Sequence, residues 1–99
     1  MIVTVFRARL RPEHAEEYHA LAGDIAAQAD AMPGFVSRKV FTAEDGERVT
    51  IVEFATREAH DAWATHAPHR AAQQLGRERF YSEYRVQVCD LVRERRFTG

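Results

Sequence analysis

The 99-residue chain carries 14 basic and 15 acidic side chains, for a formal net charge of −1, with 45% hydrophobic residues. That length fits a single domain spanning residues 1–99, with a thin core, because a domain this small buries only about 60–65% of the surface its unfolded chain exposes. The charge balance argues against nucleic acid or an anionic membrane as a partner, and no apolar run approaches the roughly 20 residues of a bilayer span.

The N-terminus runs straight into Ile2-Val3-Thr4-Val5-Phe6 with no basic start or cleavage-type region, which predicts a cytoplasmic protein. Residues 2–10 read as a strand, with Ile2, Thr4, Phe6, Ala8 and Leu10 on one face and Val3, Val5, Arg7 and Arg9 on the other. Both faces begin apolar, so both are expected to be covered near the strand's start. Pro12 ends the strand, and residues 13–17 open a helix with acids in its first turn. Tyr18, Leu21, Ala22, Ile25, Ala29 and Met32 then recur at helical spacing as one apolar stripe. Pro33 biases Met32 out of the helix and Gly34 allows a tight reversal.

Residues 35–41 and 49–55 read as two strands joined across Glu44-Asp45-Gly46 in an antiparallel hairpin. Thr56 is a predicted N-cap for a helix carrying Ala59, Ala62 and Trp63. Pro68 either breaks that helix after Ala67 or restarts it as a first-turn proline, and a second helical piece follows to Gly76. A last strand, about residues 82–92, alternates Tyr84, Val86 and Val88 with Arg85, Gln87 and Cys89. The single cysteine cannot form an internal disulfide, which suits a reducing compartment, and it reads as an ordinary buried thiol. Residues 93–96, interrupted by Glu94, read as a solvated strand end rather than a nucleic-acid tail.

The order is strand, helix, strand, strand, helix, strand. It predicts an α+β, ferredoxin-like βαββαβ fold with both helices on one face of a four-stranded antiparallel sheet. The other face, with Val3, Val5, Val36, Val40 and Val49 or Ile51, is too apolar for a wet surface. A second copy is the simplest cover, so a homodimer is expected.

Several segments, in order, resemble the antibiotic biosynthesis monooxygenase family of small dimeric α/β-barrel proteins. They are Arg11-Pro12, Met32-Pro33-Gly34-Phe35, Val52-Glu53-Phe54-Ala55, Trp63-x-x-His66-x-Pro68-His69-Arg70 and Phe80-Tyr81-x-x-Tyr84. The resemblance covers essentially the whole chain. Some members of that family oxygenate polycyclic phenols to quinones with dioxygen and no metal or flavin, whereas others bind and degrade heme. The resemblance therefore implies a cofactor-independent monooxygenase acting on a small aromatic or quinol-type molecule. A dimeric heme- or ligand-binding protein without turnover is the alternative. The heme-degrading branch carries an asparagine where this chain has Phe6, and its iron-ligating histidine falls about ten residues, nearly three helical turns, beyond the tryptophan, where this chain has Gln73. The quinone-forming branch has an asparagine one turn before the tryptophan, where Ala59 or His60 stands, and a tyrosine near the position of His69.

On the resemblance, Trp63 lines a pocket between helices and sheet against a flat ring system, although a lone tryptophan among alanines equally suits a core. His66 and His69 are the candidate bases. A neutral imidazole, with its pKa of about 6.5, can take a phenol's proton, and the phenolate is electron-rich enough to react with dioxygen. Their other reading is as polar groups at a helix junction, with Arg70 in water. Pro68 separates the two histidines and no third ligand stands nearby at a familiar spacing, so no metal site is assigned. Phe6, Phe80 and Tyr81, together with Trp63 and Arg70, are the predicted substrate contacts of an aromatic-lined pocket. Phe54 reads as core, the Tyr81 hydroxyl suits either the pocket mouth or a dimer seam, and His14, His19 and His60 are expected on exposed helix faces.

Overall fold

The computed structural model describes residues 1–99. Strand β1 (Ile2–Leu10) leads through a single 3-10 turn, Pro12–His14, into helix α1 (Ala15–Asp30). Strands β2 (Phe35–Thr42) and β3 (Arg48–Phe54) form the expected hairpin, closed by the Ala43 amide donating to the Glu47 carbonyl at 2.8 Å. Helices α2 (Arg57–Ala64) and α3 (Ala67–Leu75) follow, and strand β4 (Tyr81–Asp90) completes the sheet. The sheet order is β2-β3-β1-β4 with every neighbouring pair antiparallel, which is the ferredoxin-like arrangement. No helix is long and apolar enough to cross a membrane.

Register assigns the faces. Ile2 lies opposite Phe54, Thr4 opposite Val52, Phe6 opposite Thr50 and Ala8 opposite Arg48, so these eight side chains share the helix-covered side. Ala29, Phe54 and Trp63 form the buried core there, packed by Ile25, Met32, Phe35, Val52 and Ala59. At the other end of the sheet, Tyr18 meets Phe80 edge to face at 5.7 Å.

Four expectations are corrected. A bulge between Phe35 and Ser37 absorbs Val36 and flips the parity of the rest of β2. Val40 therefore turns toward the helices, and Phe41, not Val40, joins the uncovered face. The helical chain does not stop at Gly76 but continues as a π-helical turn, Gly76–Phe80. β4 ends at Asp90, so residues 93–96 lie in an irregular tail and not at a strand end. Cys89 is exposed rather than buried, because it alternates onto the face opposite the helices.

That outer face carries Val3, Val5, Val49 and Ile51, with Phe41 46% exposed beside them. Only eight of the 99 residues are buried in one protomer, so the helix side supplies almost the whole core.

Candidate functional site

The geometry starts at Gly34. Its φ of +83° is open to glycine, and a Cβ there would sit 2.5 Å from the Ala59 Cβ. This close approach seats the first turn of α2 on the start of β2. Thr56 caps the same turn, its Oγ1 accepting from the Ala59 amide at 3.1 Å. Trp63, one helical turn on, is thereby held against Ala29 and Phe54.

α2 is capped at its C-terminus by Thr65, whose hydroxyl donates back to the Asp61 carbonyl at 2.9 Å. His66 is extended (φ −61°, ψ 125°), and Pro68 sits in the first turn of α3, where its missing amide hydrogen is not needed. Of the two outcomes that Pro68 allowed, restart is the one realised. The turn stacks both imidazoles near-parallel to the indole, His69 at 4.3 Å and 13°, His66 at 5.6 Å and 26°.

The histidines differ in what they face. His69 Nδ1 lies 3.1 Å from the Trp63 carbonyl oxygen, which can only accept, so Nδ1 carries the hydrogen and Nε2 keeps its lone pair. Nε2 makes no hydrogen bond within the chain, and His69 lines the cavity described below. Burial lowers its pKa from the ordinary histidine value, against the opposing pull of the Trp63 hydrogen bond; His66 and His60 nearby lower it slightly further. The neutral imidazole is thus the resting form at neutral pH. His66 Nε2 instead pairs with Gln28 Oε1 at 3.1 Å, tying α3 to α1, and His66 does not line the cavity.

The cavity, about 290 Å³, lies between the sheet and the three helices, and most of its lining is apolar. Trp63, His69, Phe6, Phe80 and Tyr81 all border it. Arg70 does not: it is exposed, away from the lining. Phe6 packs on Tyr81 at 5.4 Å and on Tyr84 at 5.6 Å. Gly76 lies under the Tyr81 ring, where a Cβ would come within 2.5 Å of it. Burial pushes the Tyr81 phenol well above its ordinary pKa, with Tyr18 beside it adding to the shift, so Tyr81 is a hydrogen-bond donor and not a base. On the β4 side the cavity is open, since Val86 and Val88 line it yet remain exposed.

Among the lining residues that sequence reasoning did not assign to a pocket are Tyr18, His60, Thr4 and Arg48. Tyr18 was assigned only to an apolar stripe. His60 was placed on an exposed face, but its side chain is 13% exposed and reaches both the cavity and Asp61 Oδ1, at 2.9 Å. Thr4 and Arg48 were not singled out, although strand parity with Phe6 and with Val52 and Phe54 was the available signal. No three His, Cys, Asp or Glu side chains converge in an arrangement that would hold a metal ion.

Comparison with known proteins places the chain in a family. The sequence profile described as antibiotic biosynthesis monooxygenase matches residues 1–75. Protein YqjZ of Bacillus subtilis, itself uncharacterised, is 28% identical over 93 residues, covering 94% of this chain and 82% of YqjZ. A Deinococcus radiodurans protein of the same description superposes over 100% of both chains with a TM-score of 0.87 at 13% identity. SnoaB, a cofactor-independent oxygenase from Streptomyces nogalater, superposes with a TM-score of 0.78 at 16% identity, over 94% of each chain. At these identities the structural likeness establishes the fold.

Proposed function

This chain belongs to the antibiotic biosynthesis monooxygenase family, and from that premise we propose that it oxygenates a flat phenol or quinol with dioxygen, without metal or flavin. The observation that carries this reading is His69: a neutral imidazole, locked by the Trp63 carbonyl, with an unengaged Nε2 on the wall of an apolar cavity.

His69 Nε2 takes the phenolic proton, and the lone pair left on oxygen delocalises into the ring. The ring carbon para to that oxygen gives its electrons to dioxygen and bonds to it as a peroxide. The His69 imidazolium returns its proton to the peroxide, and loss of water, taking the carbon's own hydrogen, leaves a second carbonyl. The balance is phenol plus dioxygen to quinone plus water, with dioxygen the only oxidant. Burial penalises the charges that the first step creates, the same effect that lowers the His69 pKa, and the His69 imidazolium formed beside the phenolate offsets that cost. Trp63 and Phe6 hold the ring, and Phe80 and Tyr81 close the far wall. His66 acts as a positioning residue through Gln28.

The working unit in this reading is a homodimer, paired through Val3, Val5, Val49, Ile51 and Phe41 on the uncovered sheet face. Two such faces supply the second core that one protomer lacks.

The test is oxygen uptake by metal-free, flavin-free protein with a hydroxynaphthalene or anthrone, with one quinone formed per dioxygen consumed. His69→Asn, whose side-chain amide nitrogen stands where Nδ1 donates to the Trp63 carbonyl but which offers no base, is expected to lose on the order of 10²-fold or more in kcat. Undiminished turnover in that variant removes His69 from its role.

A further inference from the structure

We propose that Arg48 is an anion anchor, so that the ring ligand of this cavity carries an acidic group, a carboxylate or a second ionised hydroxyl, at the end away from His69.

Two buried side-chain polar atoms lack any hydrogen-bond partner, Arg48 Nε and Thr4 Oγ1, and both belong to residues that line this one cavity. Buried polar groups are otherwise paired, because leaving one without a partner costs about 1–3 kcal/mol. An orphaned pair in a single cavity marks where ligand atoms belong.

Charge sharpens the assignment. No aspartate or glutamate lines the cavity. The other lining arginine, Arg38, is already neutralised by Asp30 through bonds of 3.3 and 3.2 Å. Arg48 is half-buried and forms no ion pair, and the Tyr18 ring lies 5.3 Å from its guanidinium carbon. It is the cavity's uncommitted cation, with a planar fork of donors suited to a carboxylate.

Position gives the ligand its polarity. Arg48 stands opposite Ala8, and Thr4 is four residues back along β1 on the same face, so their rows are about 13 Å apart, less the reach of the arginine. Phe6 and Thr50 face the cavity from the row between. Trp63 and His69 lie toward the opposite end, where Trp63 packs on Phe54. A ligand touching both ends therefore presents its reacting hydroxyl to His69 and its anion to Arg48. A volume of about 290 Å³, at the low end of the roughly 300–1,000 Å³ of ligand sites, fits a compact fused-ring acid.

The inference rests on the cavity being the substrate site, and its test is equilibrium binding rather than turnover. Trp63 is the only tryptophan, so its fluorescence reports the cavity directly. The probes are 6-hydroxy-2-naphthoate and 2-naphthol, which differ by the carboxylate. Wild type is expected to bind the acid on the order of tenfold to a hundredfold more tightly, as a charge-assisted hydrogen bond allows. Arg48→Gln should erase that preference and leave 2-naphthol binding within about twofold, a margin small beside the tenfold expected for the anion contact. Arg48→Met, which keeps the aliphatic stem, serves if the glutamine variant does not fold. Arg70→Gln, outside the cavity, should keep the preference. A preference that survives loss of Arg48, or its absence from wild type, overturns the anchor but not the oxygenase reading. Failure of both probes to bind overturns both.

Discussion

Replacing Gly34 with alanine tests whether the turn between α1 and β2 seats the helix that carries Trp63. Two penalties follow from the structure. A φ of +83° costs an L-residue roughly 1–2 kcal/mol. The new Cβ would meet the Ala59 Cβ at 2.5 Å, an overpacking worth about 1–3 kcal/mol. Their sum, about 2–5 kcal/mol, is a large share of the ~5–15 kcal/mol that holds a typical domain. At roughly 4–8 °C per kcal/mol, Tm should fall by about 8–40 °C in a thermal unfolding experiment followed by circular dichroism. A second substitution separates the two penalties. Ala59→Gly alone weakens α2 by about 1 kcal/mol. In the Gly34→Ala background it removes the opposing methyl and should restore the overpacking part, leaving the backbone part. The double variant should therefore be more stable than additivity allows, by at least ~1 kcal/mol. A Tm loss of only about 3 °C, below 1 kcal/mol on the same scale, or strict additivity of the two changes, would refute the reasoning.

Other expectations follow from the same geometry. Thr56→Ala removes the Oγ1 acceptor for the Ala59 amide and should destabilise by about 1 kcal/mol in urea unfolding with an unchanged m-value. Because burial holds the His69 pKa below the histidine norm, activity should persist below pH ~6.5 before its acid limb sets in. The same shift means the folded state binds fewer protons than the unfolded chain between the lowered pKa and ~6.5, so stability should rise with pH across that window and level off above it. His69→Gln should flatten that slope in a series of urea midpoints; an unchanged slope counts against the buried neutral imidazole. Ile51→Asp, at the centre of the uncovered sheet face, should convert a dimer to a monomer in sedimentation and speed thiol labelling of Cys89 on the same face. A sedimentation coefficient and labelling rate equal to wild type count against pairing through that face.

Local rules carried much of this protein. The alternation in β1, the stripe from Tyr18 to Met32, the Glu44-Asp45-Gly46 turn and the Thr56 cap each depend on a few neighbouring residues, and each is realised. Order alone then leads to the ferredoxin-like sheet, because short antiparallel connections leave few other topologies. Trp63, His69, Phe6, Phe80 and Tyr81, singled out in the sequence, all border one cavity. What spacing could not supply was direction. One bulged residue, Val36, reversed the faces of Val40 and Phe41, because a strand's side-chain period is 2 and a single insertion flips everything after it. The separation of His66 from His69 was likewise decided in three dimensions. Three residues apart in the chain, one turns to Gln28 on α1 and the other to the Trp63 carbonyl, and only the second faces the cavity. Arg48 shows the same limit most plainly. Nothing in its local sequence marks it out, and only the closing of α1 over β3 places it under Tyr18 in a cavity with no acid to meet it. Sequence determined which elements form, since their energies are local. Tertiary packing decided which side chains stay dry and unpaired, since burial and charge pairing depend on neighbours far away in the chain.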